Sequence, residues 1–204
     1  MATPGPRTRQ PSETRQTEII EAVLDLAAQG NPADITTADI ADRLNLSQGA
    51  VFKHFPSKGA IWLAVLDWVQ SRLFARLEAA AQRADTPLAG LGAMFMAHVK
   101  FIAAHPGVPR LIFQHLRRSE DTPLKAGVRN MLARYRKLLI ECLGEAEKQG
   151  QVVQGLDKSA AAMLFIGAIQ GLAIQSMLNG SSTKMQEEAR RVLKLYLQAI
   201  EAKS

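Results

Sequence analysis

The chain has 204 residues, 47% of them hydrophobic and only 5% aromatic, with a formal net charge of +6 and a single cysteine, Cys142. That length allows one large domain or a small domain joined to a medium one, the composition suits an all-α protein with an extensive core, and one cysteine excludes an internal disulfide and fits a reducing cytoplasm. The positive charge does not itself point to nucleic acid. Residues 1–58 hold six basic residues (Arg7, Arg9, Arg15, Arg43, Lys53, Lys58) against seven acidic ones (Glu13, Glu18, Glu21, Asp25, Asp34, Asp39, Asp42), so any DNA contact there must come from the placement of individual charges.

Residues 1–11 carry three prolines, two arginines and no apolar run. They read as a disordered arm, inert or reaching an adjacent groove, with no secretory leader. A first helix is predicted over Ser12–Gln29, with Ile19, Val23, Leu26 and Ala27 on one face and Gly30 and Pro32 ending it. Arg15 belongs with the arm as a phosphate candidate.

The next stretch, Thr36 to Lys58, is the most informative in the chain. Thr36 followed by Asp39 is a capping-box start for a helix from Thr37, with Ile40, Ala41 and Leu44 on its inner face. Asn45 tolerates positive φ where the chain must reverse. Ser47 caps a second short helix from Gln48 to about His54, with Val51 and Phe55 inward and Gln48, Ala50, Phe52 and Lys53 outward. Pro56 stops it and Ser57 caps the next helix. Two short helices joined by a tight turn are the shape that enters the major groove of DNA.

Ile40-Ala41, Leu46-Ser47, Gly49, Phe52, His54-Phe55 and Ser57-Lys58 together resemble the DNA-binding signature of the tetracycline-repressor (TetR) family of bacterial transcription regulators. The match runs from about Arg15 to Leu66, and the remaining two thirds is similar only in helical plan. The family usually has Tyr at Phe52, Thr or Ser at Ala50 and Gly at Asn45, so two hydroxyls are missing here. The resemblance implies DNA contacts from Thr36, Thr37, Ser47, Gln48, Gly49, Ala50, Phe52, Lys53, His54 and Lys58. Gln48 suits base contact, Lys53 a phosphate or guanine, and His54 and Lys58 phosphate, while Phe52 either packs on a thymine methyl or covers the core edge.

Further along, helices are predicted from about Ser57 to Ala84, Leu88 to Ala104, Val108 to Arg118, Leu124 to Gln149, Asp157 to Leu178 and Lys184 to Ala202, giving about nine in all. The middle ones carry Met94, Phe95, His98, Phe101, Leu111, Phe113, His115, Met131, Tyr135 and Phe165. Each is an ordinary core residue on its own; together they have the character of an apolar ligand pocket, and the resemblance implies one between these helices. Arg129, Arg134, Arg136 and Lys137 read as a solvated face. Ala160–Leu178 is apolar around most of its circumference but interrupted by glutamines and glycines, which favours a buried interface over a membrane span. The expected homodimer interface comprises Leu164, Gly167, Ala168, Gly171, Leu172, Gln175, Leu193 and Leu197.

No catalytic, cofactor or metal-ligating spacing is present, and Cys142 reads as packing. The expectation is therefore an all-α, cytoplasmic regulator: a helix-turn-helix domain at residues 12–56 and a ligand-binding and dimerisation domain at 57–204. The resemblance implies that the homodimer holds a palindromic operator in double-stranded DNA until a small apolar or aromatic inducer releases it. An activator or an inducer-independent DNA binder is the alternative within that class, and a small-molecule-binding or catalytic helical protein the competitor outside it.

Overall fold

The computed structural model describes residues 12–116, 121–180 and 182–202. The expectations for the arm 1–11 with Arg7 and Arg9, for the helix end at Arg118, for Ser119 and Glu120 of the polar turn and for Ser181 lie outside these residues.

Among the described residues there are nine helices: α1 Ser12–Gln29, α2 Thr37–Arg43, α3 Gln48–Phe52, α4 Lys58–Gln82, α5 Pro87–Ala104, α6 Gly107–Leu116, α7 Pro123–Lys148, α8 Lys158–Asn179 and α9 Ser182–Ile200. The starts follow from capping chemistry. Ser47, Ser57, Thr86, Thr122 and Asp157 each accept a hydrogen bond from the backbone N–H three residues on, and Pro87 and Pro123 take the first helical position, where no N–H is needed. Gly180 closes α8 with φ 65°, a left-handed conformation that suits glycine. The boundaries differ from expectation by up to two residues: α4 ends at Gln82 rather than Ala84, α9 runs Ser182–Ile200 rather than Lys184 to Ala202, and α3 stops at Phe52 rather than near His54. Phe55 precedes Pro56 and is steered out of helical geometry, so Lys53 and His54 form a turn instead.

The core runs through the whole molecule. α5 is its axis, packed by α4, α7, α8 and α9, with Leu91, Met94, Phe95 and Val99 fully buried. α5 and α8 are both long and apolar enough to cross a membrane, yet each buries a substantial share of its surface against neighbouring helices. α1 packs on α2, α4 and α6, so the short N-terminal helices reach the rest through α4 and α6. At the other end, Val153 N–H donates to the Ile200 carbonyl (2.9 Å) and Ala202 N–H to the Gln151 carbonyl (3.0 Å), fastening the end of α9 to the turn after α7.

Candidate nucleic-acid interface and ligand cavity

The α2–turn–α3 unit is built by short-range bonds. Asp39 N–H donates to Thr36 Oγ1 (3.1 Å) while Thr36 N–H donates to the Asp39 carboxylate (2.7 Å), a complete capping box that holds the Asp39 carboxyl below the usual range. Asn45 sits at φ 52°, and Leu46 N–H reaches back to the Ala41 carbonyl at 2.8 Å, so the chain reverses within three residues. Ile40, Ala41, Val51 and Phe55 are buried in the same core as Ile19, Ile20 and Val23 of α1, while Gln48, Gly49 and Phe52 stay exposed on the outer side of α3.

The predicted DNA-facing residues divide into two groups. Ser47, Gln48, Gly49, Phe52 and Lys53 are exposed, and Phe52 keeps 42% of its surface open rather than closing the core. Thr37, by contrast, is buried. Its Oγ1 accepts from Gln48 Nε2 at 2.5 Å, so the two side chains engage each other. The Thr36 hydroxyl is already bonded to Asp39 at 2.8 Å. Ala50 is half-buried and brings only a methyl group. His54 is half-buried as well, with Nδ1 3.4 Å from Ser12 Oγ. Lys58 extends its ammonium over the Trp62 ring, 5.5 Å from the centroid, on the first turn of a 25-residue helix whose N–H groups favour an anion.

The electrostatics correct one expectation. Arg15 is not a loose cation of the arm: it is half-buried and pairs with Glu18 at 2.5 Å one turn along α1. Arg43 is held by Asp25 across α1 and α2 at 3.1 Å. Among the described basic residues up to position 58, Lys53 and Lys58 are therefore the ones without an ion pair.

Between α4, α5, α6, α7 and α8 lies an internal cavity of about 90 Å³. Of the predicted pocket residues, His98, Phe101, Phe113, Met131 and Tyr135 line it. Phe95 and Phe165 do not, because their rings pack edge to face at 5.1 Å in the core. Met94 lines a separate surface groove beside Cys142, Leu111 lines a small gap against α4 and α7, and His115 stands at 5.5 Å from Trp62 on the outer surface beside Lys58. The remaining lining is aliphatic: Val69, Leu73, Ile102, Val108, Pro109, Ile112, Leu116, Val128, Leu132, Ile166, Ile169 and Ala173, with Gln170 at the edge. In sequence these have the spacing of plain core residues, and no signal separates them from it. The cavity's polar handle is one pair, His98 Nδ1 and the Tyr135 hydroxyl at 3.2 Å. Burial pushes the His98 imidazole down to about 4 and the Tyr135 phenol upward, so both are neutral at pH 7.

The predicted dimer residues also separate. Leu164, Gly167, Gly171 and Gln175 form an exposed stripe along α8 with Met163, Ile174 and Leu178, Ala168 half-buried at its margin. Leu172 faces inward at 7% exposure, and Leu193 and Leu197 pack beside Gly92 of α5, because α9 turns those leucines toward its own subunit. Leu195, 68% exposed, is the large apolar residue that α9 leaves outside among its described residues.

Among the described residues no group of three His, Cys, Asp or Glu could hold a metal ion. Cys142 donates to the Pro87 carbonyl at 3.3 Å, and burial pushes its thiol up to about 11, which makes it an inert packing group.

Residues 19–65 match the family model for bacterial regulatory proteins of the tetR family. Over 172 residues the chain is 24% identical to the nucleoid occlusion factor SlmA of Aliivibrio fischeri, covering 84% of this chain and 85% of that one. The fold is similar to that of the fatty acid degradation regulator FadR from Bacillus halodurans (TM-score 0.81, 20% identity, 94% of this chain and 97% of that one). It is similar also to FadR from Bacillus subtilis in complex with stearoyl-CoA (TM-score 0.78, 20% identity, 89% and 97%).

Proposed function

We propose that this chain, a DNA-binding regulator carrying a tetR-family domain at residues 19–65, acts as an intracellular ligand-responsive repressor rather than an enzyme. In this reading residues 12–56 hold the DNA and residues 57–204 bind the ligand and the second subunit. The α8 stripe of Leu164, Gly167, Gly171, Ile174 and Leu178 is apolar surface that a two-fold partner would cover. Such a dimer presents two copies of α3 to successive major grooves of a palindromic site, roughly 34 Å apart.

The observation that carries the ligand response is that α6 belongs to both functions. It supplies Val108, Pro109, Ile112, Phe113 and Leu116 to the cavity wall. Its first residue, Gly107, lies so near α1 that a Cβ there would be 2.1 Å from the Leu24 carbonyl oxygen. A cavity of about 90 Å³ is well below the roughly 300–1,000 Å³ of most small-molecule sites, so an occupant of that size must push α6 outward. Close-packed backbones transmit such a shift rather than absorb it, and α1 carries α2 and α3. The ligand must then bind the DNA-incompetent arrangement more tightly than the competent one.

The lining suits an apolar or aromatic molecule with one uncharged hydrogen-bonding group for the His98–Tyr135 pair. A fold relative solved with stearoyl-CoA accords with an acyl chain. The test is fluorescence anisotropy on a duplex selected from a random pool, titrated with acyl and aromatic compounds, with Trp62 and Trp68 as reporters. Release of DNA by an apolar compound supports the reading, and release by a polar metabolite alone defeats the ligand assignment. The small cavity also favours a second reading, a DNA binder with no inducer, in which no compound releases the duplex.

A further inference from the structure

We propose that the sequence preference of this protein is set by thymine methyl groups packed against Phe52. The inference rests on the DNA-binding reading of α2 and α3 and narrows it to one class of base.

Polar side chains are few along α3. Val51 is fully buried, Ala50 offers a methyl group and Gly49 has no side chain, with open space where a Cβ would stand. A glutamine reads adenine by offering both ends of its carboxamide to one base edge. Here one of the two amide N–H groups of Gln48 is bonded to Thr37 Oγ1, and Thr37 is 8% exposed on the first turn of α2, so the carboxamide is anchored to the neighbouring helix and any base it reads must suit that fixed orientation. The Ser47 hydroxyl is taken up with capping Ala50 N–H. Lys53 is exposed at the C-terminal edge of α3, where a flexible cation suits a phosphate.

Phe52 remains. It is 42% exposed and carries a ring that can neither donate nor accept a conventional hydrogen bond. In the major groove the apolar feature that distinguishes bases is the C5-methyl group of thymine, and a phenyl ring is among the side chains that pack on it. The absence of a side chain at Gly49 and the small one at Ala50 let α3 lie close to the groove floor, which brings the Phe52 ring within reach of that methyl.

The test uses the full chain and a duplex selected from a random pool, each thymine being replaced in turn by deoxyuridine, which pairs identically and lacks only the methyl. At one or more positions in each half-site the replacement should weaken binding about fourfold, the effect of exposing one carbon's worth of apolar surface. The Phe52→Ala protein should bind the thymine and deoxyuridine duplexes equally, Phe52→Leu should keep the preference, and Gln48→Ala should leave it unchanged. Tolerance of deoxyuridine at every position by the unsubstituted protein overturns the proposal and leaves DNA binding intact, as does a methyl preference that persists in Phe52→Ala. A selection that returns no duplex overturns the DNA-binding reading itself.

Discussion

His98 Nδ1 and the Tyr135 hydroxyl share a hydrogen bond of 3.2 Å across the cavity between α5 and α7, so a titratable ring is kept neutral inside an apolar wall. Its folded pKa of about 4 lies below the unfolded value of 6.5, and between those values the unfolded chain binds the extra proton. Stability must then fall as pH is lowered from about 7 towards 4. Urea unfolding at pH 7 and pH 5 should differ by about 2 kcal/mol less in His98→Gln than in the unsubstituted protein. His105, lowered by burial and by Arg76 and Arg72, acts in the same direction in both proteins and cancels in the comparison. Equal pH dependence in the two proteins would remove His98 from this account.

The glycines give a graded test of packing. At Gly107 a Cβ would meet the backbone of Leu24 at 2.1 Å and of Ala28 at 3.0 Å, whereas Gly171 has open space. Gly107→Ala should destabilise by about 1–3 kcal/mol because backbone must move. Gly171→Ala should leave the subunit's own fold unharmed, since alanine is the better helix former. Thermal melts of the two variants decide this, and similar melting temperatures would contradict the close α1–α6 contact.

Charge on the α8 stripe should separate subunits without unfolding them. Leu164→Glu places a carboxylate on a residue that is 58% exposed, so circular dichroism should be unchanged while sedimentation shifts from dimer to monomer. A monomeric unsubstituted protein at micromolar concentration would dispose of the dimer.

In the proposed DNA-binding reading Lys58 holds a phosphate by charge and position, so Lys58→Ala should weaken binding to all duplexes alike. It should also reduce the salt slope by about one unit per subunit. An altered base preference in this variant would mean that Lys58 contacts bases and not phosphate.

Filling the cavity should oppose ligand and favour fold. Ala173 lines the space and is buried, so Ala173→Leu puts methyl groups where a ligand's carbon atoms would go. The variant should melt at or above the temperature of the unsubstituted protein and stay on DNA at ligand concentrations that release the latter. Normal release would show that the ligand lies elsewhere.

The N-terminal unit was legible because its signals are local: a capping box, an αL-tolerant Asn45, a Ser47 cap and a Pro56 stop each act within four residues. The cavity was legible in its aromatic, sulfur-bearing and polar members, His98, Phe101, Phe113, Met131 and Tyr135, and not in its aliphatic ones. His98 and Tyr135 stand out from an apolar background, whereas Ile112, Leu132 and Ile169 have the periodicity of any core residue, and which of them borders empty space depends on distant helices. Leu193 and Leu197 were assigned to the partner subunit for the same reason. Periodicity identifies an apolar face without saying which helix covers it, and α5 covers theirs.

The 25 residues of α4 form one uninterrupted helix, with Lys58 beside the turn after α3 and Ala81 against Gly90 of α5. At 1.5 Å per residue such a helix is about 37 Å long. Over that span a tilt of about 3° carries the far end through about 2 Å, a large fraction of a hydrogen-bond length. In the proposed ligand response, an adjustment around the cavity too small to disturb the core would be magnified into a change of reach at Lys58. In the proposed two-fold pair the two displacements would combine, so the separation of the two α3 helices would change by up to twice that amount against a DNA repeat that stays fixed.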